Sequence, residues 1–306
     1  MESRINGYIN KIDMQLKLWL DEQPEDSVIG NVHSIFDKVI NIISPDKEHM
    51  IAIAIEKVVQ SPQMMKTMDE ECFKKSKLNI KLGTPVLRYG KYSIIMKNVV
   101  WSYKNALTWK ENIIAEGLKN KHYQNPSFIK KASEFLQRQG TNSGLLSAWY
   151  EHTHKSQFIS DNMSIYSRKF LDRLNKLDCA IKMRENEKIL DASYEFIGLG
   201  IGLTPSGDDF ILGCLAVWMF LGSELYNIFS STDWINKLKD RSTAISYHML
   251  KNAMEGYVND ALLSLLKCSH DDEDIEHLLF RLLEIGSTSG TDMMIGMIFA
   301  YEYAKY

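Results

Sequence analysis

The stretch GLGIGLTPSGDDFILG, residues 198–213, predicts a glycine-rich turn followed by a long apolar helix. It contains five of the 17 glycines and two adjacent aspartates, and no charged residue follows these until Glu224. Proline suits the first position of a helix, where its missing N–H costs nothing. We therefore predict a helix with Thr204 as N-cap and Pro205 as first residue. The glycines before it predict positive φ angles or a close approach of two backbone segments.

Helical spacing continues on both sides of this stretch, from about Ala106 to the C-terminus. Apolar residues recur every three or four positions, as amphipathic helices require. The clearest examples are ASEFLQRQ (132–139), KFLDRLNKLDCAI (169–181), ISYHMLKNAMEGYVNDALLSLLK (245–267) and IEHLLFRLLEI (275–285).

The first part of the chain has a different pattern, with five of the six prolines before residue 130. Short runs of β-branched or alternating residues between turn signals predict strands there. These runs are SVIGNVHSIF (27–36), KVINIIS (38–44), HMIAIAIEKVV (49–59), PVLRYG (85–90) and YSIIMKNVVWS (92–102). The segment LRYGKYSII predicts a hairpin across Gly90 and Lys91. We expect an α+β fold, with a β-rich N-terminal part, residues 1–105, packed against a larger, mostly α-helical part, residues 106–306.

Composition and charge exclude several classes of protein. Apolar residues make up 45% and charged residues 25%, as in ordinary globular proteins. A net charge of -3 gives no basis for binding nucleic acid or an anionic membrane. The longest uncharged stretch, residues 210–223, has 14 residues, fewer than the roughly 20 that span a bilayer. The four cysteines lack metal-ligand spacing and the N-terminus lacks a signal peptide's apolar core, so we expect a cytoplasmic protein with reduced thiols.

Part of the glycine-rich stretch is repeated later in the chain. TPSGDDFILG (204–213) and TSGTDMMIG (288–296) share Ser-Gly, an Asp two residues after that Gly, and a Gly four residues after that Asp. A third segment, GTNSGLLSAW (140–149), repeats Thr-x-Ser-Gly without the Asp. Three helix starts with the same local residues suggest that their N-termini converge.

The helix starts supply a candidate anion site. Free backbone N–H groups and the positive end of a helix dipole suit phosphate or carboxylate. The candidate binding residues are Gly200, Gly202, Thr204, Ser206, Gly207, Ser289 and Gly290.

Three aspartates in the motifs are the candidate catalytic residues: Asp208, Asp209 and Asp292. A bound phosphate would repel these carboxylates, and a Mg²⁺ ion held by Asp208 and Asp209 is the usual way to relieve such repulsion. The alternative is that the acids only complement the helix dipole. The dipole does not account for the glycines that precede them.

A second candidate lies in the N-terminal part, where His33 and Ser34 follow one another between apolar runs. They could serve in substrate binding as a base and a nucleophile. Adjacent residues of a strand point to opposite faces, so we expect that the two do not pair with each other. The alternative is a hydrogen-bonded core histidine.

Together with STAISYHMLKNAMEG (242–256) and IGSTSGTDMMIGM (285–297), the stretch at 198–213 resembles the AllH family. The segment VHSIFDKVIN (32–41) is similar to that family's Val-His-Ser-x-Phe opening, so the resemblance spans most of the chain. It implies one subunit of a multi-protein oxamate carbamoyltransferase of allantoin and purine catabolism. The reaction converts oxalurate and phosphate to oxamate and carbamoyl phosphate. Partner subunits would complete the enzyme, one of them similar to acyl-CoA synthetase subunits.

Two other functions stay open from the residues alone. One is a stand-alone Mg²⁺-dependent hydrolase that holds its metal with the motif aspartates. The other is a non-catalytic structural subunit, in which the glycines only permit close helix packing. The expected ligands of a transferase subunit are small anions, namely phosphate, carbamoyl phosphate or oxamate.

Overall fold

The computed structural model describes residues 4–113, 126–154, 164–229, 232–268 and 275–303. The chain divides into two compact units, residues 1–111 and 112–306. The first contains a ten-stranded sheet and the second is helical, which confirms the predicted α+β class. Among the described residues, no helix has both the length and the apolar character needed to cross a membrane.

The first unit is a sheet that curls back on itself. Its strands are β1 (Ile5–Tyr8), β2 (Lys11–Asp13), β3 (Val28–Ile35), β4 (Val39–Ile43), β5 (Met50–Ile55), β6 (Met64–Thr67), β7 (Pro85–Tyr89), β8 (Ser93–Met96), β9 (Val99–Ser102) and β10 (Leu107–Trp109). Their order in the sheet is β1-β9-β8-β7-β3-β4-β5-β6-β2-β10. β1 pairs with β9, whereas β2 pairs with β6 and β10. Because β1 and β2 are parts of one segment, residues 5–13, this segment joins the two ends of the sheet.

The predicted strands are present, and the hairpin across Gly90 is confirmed by the antiparallel pairing of β7 and β8. Residues 92–102 form two strands instead of one, because Lys97 takes a φ of 54° and turns the chain. Two helices were not predicted, α1 (Met14–Glu22) and α2 (Glu70–Asn79). Each begins after an aspartate whose side chain accepts a backbone N–H, which satisfies a free donor of the first turn.

A buried arginine links α1 to the β7–β8 hairpin. Arg88 is 3% exposed. Its Nε donates to the carbonyl of Leu20 in α1 at 2.9 Å, and its Nη1 donates to the carbonyls of Gly90 and Ser93 at 2.5 and 3.0 Å. A buried charge needs such partners to offset the loss of water, so Arg88 has a structural role in this unit.

The second unit is built from helices around a central pair. They are α3 (Pro126–Gln139), α4 (Leu146–His154), α5 (Ile165–Met183), α6 (Asn186–Tyr194), α7 (Ser206–Leu221), α8 (Glu224–Phe229), α9 (Thr232–Leu238), α10 (Ala244–Met254), α11 (Asp260–Lys267), α12 (Ile275–Leu283) and α13 (Ser289–Glu302). The predicted run 245–267 forms two helices, α10 and α11, because Gly256 takes a φ of 88° between them. The central helices α7 and α13 are buried on nearly all sides, as their uniformly apolar sequences require.

The predicted start of α7 was wrong by one residue. Pro205 has a ψ of 142°, so it is extended and stands at the N-cap, and Ser206 is the first helical residue. Thr204 does not cap the helix, because its hydroxyl pairs with the Ser289 hydroxyl at 2.9 Å.

Candidate functional site

Helices α7 and α13 cross at two glycines that occupy equivalent places in the repeated motif. A Cβ on Gly213 would lie 2.1 Å from the carbonyl oxygen of Met293, and a Cβ on Gly296 would lie 2.1 Å from that of Phe210. Phe210 follows Asp209 in the first motif and Met293 follows Asp292 in the second, so the two contacts are reciprocal. The sequence repeat therefore corresponds to an approximate two-fold arrangement of α7 and α13, whose backbones are in contact.

Close packing also explains the glycine of the Ser-Gly pair at the start of each helix. A Cβ on Gly207 would lie 2.0 Å from the carbonyl oxygen of Phe196, and one on Gly290 would lie 1.9 Å from that of Leu282. Only glycine lets the preceding segment pass so close to the first helical turn. The expectation of free N–H groups was wrong for these two glycines, because Gly207 donates to the carbonyl of Leu199 at 2.9 Å and Gly290 to that of Ile285 at 3.0 Å. Ser206 and Ser289 are consequently buried at the two helix starts.

Asp209 and Asp292 form a buried acid pair at the centre of this arrangement. They are 1% and 0% exposed. Asp209 faces the hydroxyl of Ser289 at the start of the other helix, and Asp292 likewise faces that of Ser206. The two acids are close enough for the charge of Asp292 to act on Asp209.

The third Ser-Gly segment, residues 140–145, also contacts the start of α13 beside the acid pair. The backbone N–H of Leu145 donates to Oδ1 of Asp292 at 2.9 Å. The N–H of Thr141 donates to Oγ1 of Thr291 at 3.2 Å. The expected convergence of three segments is therefore present, with residues 140–145 acting through backbone groups instead of an acid of their own.

The hydrogen bonding of the two acids is unequal. Within the described part of the chain, neither oxygen of Asp209 has a hydrogen-bond partner, and Oδ2 of Asp292 also has none. The hydroxyls of Thr204 and Ser289 lie beside Asp209 and lower its pKa, but they also pair with each other, which uses one of their two hydrogens. Buried oxygens without donors are uncommon in folded proteins and are typical of functional sites.

Burial raises the pKa of both acids. For Asp209 the pKa lies well above its ordinary value, because the Ser289 and Thr204 hydroxyls only partly oppose the effects of burial and of the neighbouring carboxylates. Burial raises the pKa of Asp292 to about 7, against the N–H of Leu145 and nearby hydroxyls that lower it. Both shifts favour the protonated form, and at neutral pH Asp292 is in part protonated.

Asp208 has a different environment from Asp209. Its Oδ1 accepts the N–H of Gly198 at 2.7 Å, and its Oδ2 accepts the hydroxyl of Ser242 at 2.5 Å. Burial raises the pKa of Asp208, and these two hydrogen bonds oppose that rise. The side chain therefore fastens the glycine loop to the segment that precedes α10.

Three glycines with positive φ lie directly against the site. At each of them a Cβ would come closer than 3.0 Å to a site atom: Gly144 to the Asp292 carboxylate, Gly200 to the Ser206 nitrogen and Gly286 to the Ser289 hydroxyl. Their φ angles are 126°, 133° and 62°. Gly202 differs, since a Cβ there would meet nothing within 4 Å and the residue is exposed. The predicted binding residues thus separate into a buried set at the helix starts and an exposed loop above them.

His33 and Ser34 lie in the first unit, and the expectation that they do not pair was wrong. Nδ1 of His33 lies 3.3 Å from Oγ of Ser34. A β-bulge shifts the register between Val32 and Ser34, so the usual alternation of faces is lost there. Asn41 also donates to Oγ of Ser34, at 2.9 Å. Both residues are half-buried.

The structure places the motif aspartates without a site of three or more metal ligands. Among the described residues, no group of three or more His, Cys, Asp or Glu side chains is placed to hold a metal ion. The oxygens of Asp208 are directed to Gly198 and Ser242. A Mg²⁺ site that combines all three motif acids therefore does not fit this geometry.

A separate groove of about 420 Å³ lies between α5 and α6. Its lining includes Lys176, Cys179, Met183, Lys188 and Asp191. None of the predicted site residues borders it, so it is distinct from the acid pair.

Two important contributors were missed from the sequence, Leu145 and Ser242. Leu145 acts only through its backbone N–H. Its residue type therefore gives no indication of this role, and only the preceding Ser-Gly pair points to the segment. Ser242 opens the segment 242–256 and holds Asp208 through its hydroxyl. Its neighbour Thr243 is the N-cap of α10.

Two family models match the chain. One, described as "Oxamate carbamoyltransferase subunit AllH", matches residues 196–301, and the other, "AllH family N-terminal domain", matches residues 8–108. The chain belongs to the AllH family. In this AllH-family chain the first match contains both acids of the buried pair, whereas the donor segment 140–145 lies outside both matches. No solved structure matches the chain.

Proposed function

We propose that this chain is the substrate-binding subunit of a cytoplasmic, multi-protein oxamate carbamoyltransferase of allantoin breakdown. The subunit binds phosphate, carbamoyl phosphate or oxamate where residues 140–145, 198–207 and 286–292 meet. The observation that carries the proposal is the buried acid pair, Asp209 and Asp292, at the starts of two central helices. The family description supports the role as a transferase subunit.

The charge state of the acid pair suits an anionic substrate. Helix N-termini attract anions, but ionised carboxylates beside them would repel one. Burial raises the pKa of Asp209 well above its ordinary value, which reduces that repulsion without a metal ion.

The chemistry of the proposed reaction requires one proton at the leaving nitrogen. A phosphate oxygen forms a bond to the carbamoyl carbon of oxalurate, and the bond from that carbon to the oxamate nitrogen breaks. The nitrogen then takes up a proton. Asp292, with a pKa of about 7, suits the role of general acid. The helix N-termini would stabilise negative charge that develops on the carbamoyl oxygen.

The glycine contacts between α7 and α13 favour a second candidate, a non-catalytic structural subunit. Gly213 and Gly296 are fully explained by backbone packing. Packing does not explain why Asp209 is kept in the core with neither oxygen bonded. The transferase subunit therefore accounts for more of the site.

The proposal is tested with the complex isolated from the native host through a tag on this chain. We expect that complex to form carbamoyl phosphate from oxalurate and phosphate. Asp292→Asn should keep the complex intact and lower kcat by about 100-fold or more, the range of general acid catalysis. Asp172→Asn, an exposed acid in α5, is the matched control and should keep full activity. An intact complex without turnover, or full turnover in Asp292→Asn, would contradict the proposal.

A further inference from the structure

Asp209 differs from its two-fold counterpart in one respect that points to a ligand. Asp292 receives the N–H of Leu145 from residues 140–145. The described residues offer no equivalent backbone donor to Asp209. The difference arises because residues 140–145 bond to only one of the two acids. A buried polar group without a partner is costly to the fold, and a functional role is the usual reason for keeping it.

We propose that Asp209 recognises the primary amide of the substrate by a pair of hydrogen bonds. The O–H of the neutral carboxyl donates to the amide oxygen, and its carbonyl oxygen accepts one amide N–H. This inference rests on the proposed function and deepens it, because oxamate carries such an amide next to a carboxylate. The carboxylate end is then placed at the starts of α7 and α13, where the helix dipoles are positive.

The surroundings of Asp209 favour an uncharged acid and an uncharged amide. The charged groups that act on it are the carboxylates Asp292 and Asp208, and the hydroxyls of Ser289 and Thr204 complete its neighbours. The nearby charge of Arg241 acts on Asp208, and its guanidinium stacks on Tyr194. Burial also raises the pKa of the acid, which is consistent with the neutral form.

The inference predicts discrimination between two ligands of nearly equal shape. Oxamate offers an amide that matches both hydrogen bonds of a neutral acid. Oxalate places a second carboxylate there, so two acceptor oxygens face each other at one position. One unmatched buried hydrogen bond corresponds to a preference for oxamate of about 10- to 100-fold.

The experiment is calorimetric titration of the full chain with oxamate and with oxalate, for the wild type, Asp209→Asn and Asp209→Leu. Asparagine also presents one donor and one acceptor, so Asp209→Asn should keep the preference for oxamate. Leucine presents neither, so Asp209→Leu should lose it. Asp172→Asn is the control and should bind as the wild type does.

Three results would overturn the inference: equal binding of the two ligands by the wild type, binding of neither, or loss of the preference in Asp209→Asn. The last result would mean that Asp209 acts through its charge. Because Asp209→Asn is close in size to the native residue, it tests the inference even if the leucine variant does not fold. Preference for oxamate with no turnover in the complex would contradict only the proposed function. Turnover without the preference would contradict only the inference about Asp209.

Discussion

At the scale of single residues, Asp208 and Asp209 are neighbours in the chain with different roles. Both oxygens of Asp208 are hydrogen-bonded, to Gly198 and Ser242. Both oxygens of Asp209 have no partner among the residues described. The sequence places the two acids in one candidate site, and it cannot separate them, because their difference lies in groups that are distant along the chain.

The first prediction concerns Asp208. In Asp208→Asn the side-chain oxygen can still accept the N–H of Gly198, but the Ser242 hydroxyl must turn to accept from the amide, so its own hydrogen loses its partner. We expect a loss of about 1–3 kcal/mol in the free energy of unfolding, measured by urea denaturation. Asp172→Asn should change it by less than about 1 kcal/mol, since exposed ion pairs contribute little. Equal stability of Asp208→Asn and the wild type would contradict the structural role of Asp208.

The second prediction concerns the pH dependence contributed by Asp292. Its pKa is about 7 in the folded chain and about 4 when unfolded. Its contribution to stability is fully present below about pH 4 and is lost as pH rises to about 7, because over that range only the folded state holds the proton. The slope is at most about 1.4 kcal/mol per pH unit.

Asp292→Asn removes that slope, while its side-chain oxygen can still accept the N–H of Leu145. Relative to the wild type, the variant should therefore gain stability steadily from pH 4 to 7 and then no further. Urea denaturation of both proteins between pH 4 and 8 measures this difference. Parallel stability curves would show that Asp292 titrates normally.

At the scale of elements, the crossing of α7 and α13 explains the motif glycines. The sequence indicated the repeat and the two helices that follow it, because the same residue types recur at the same spacing. It could not show that Gly213 and Gly296 contact the opposite backbone, because spacing along the chain does not determine which residues of two helices face each other. The cap of α7 was misplaced for a similar reason, since Thr204 is bonded to a residue of α13.

The third prediction is that Gly213→Ala destabilises the chain. Alanine normally stabilises a helix by about 1 kcal/mol relative to glycine. Here its Cβ would lie 2.1 Å from the Met293 oxygen, so the helices must separate, at a net cost of about 1–3 kcal/mol. Gly296→Ala should behave in the same way, because the contacts are reciprocal. A rise in thermal unfolding temperature in either variant would contradict the proposed crossing.

At the scale of the whole molecule, each unit is stabilised by its own core. The alternating apolar runs predicted most strands of the first unit. The closure of the sheet was not predictable, because it depends on residues 5–13, which are too short and too polar to be recognised as strands. In the second unit the bond from Leu145 to Asp292 joins residues 147 positions apart. No local pattern indicates such a contact.

The fourth prediction is that residues 1–111 fold without the rest of the chain. The sheet is joined end to end by residues 5–13 and encloses a continuous apolar core. We expect the fragment to show dispersed amide NMR signals and a single cooperative transition in urea. A fragment with the spectrum of an unfolded chain would contradict the assignment of an independent core.

The central claim is that a small substrate binds where three segments of the second unit meet. Hydrogen–deuterium exchange of the full chain with and without oxamate tests it most directly. We expect oxamate to slow exchange together in residues 140–145, 198–207 and 286–292, and to leave exchange in the groove beside Cys179 unchanged. Protection confined to that groove, or to the segment around His33, would contradict the claim.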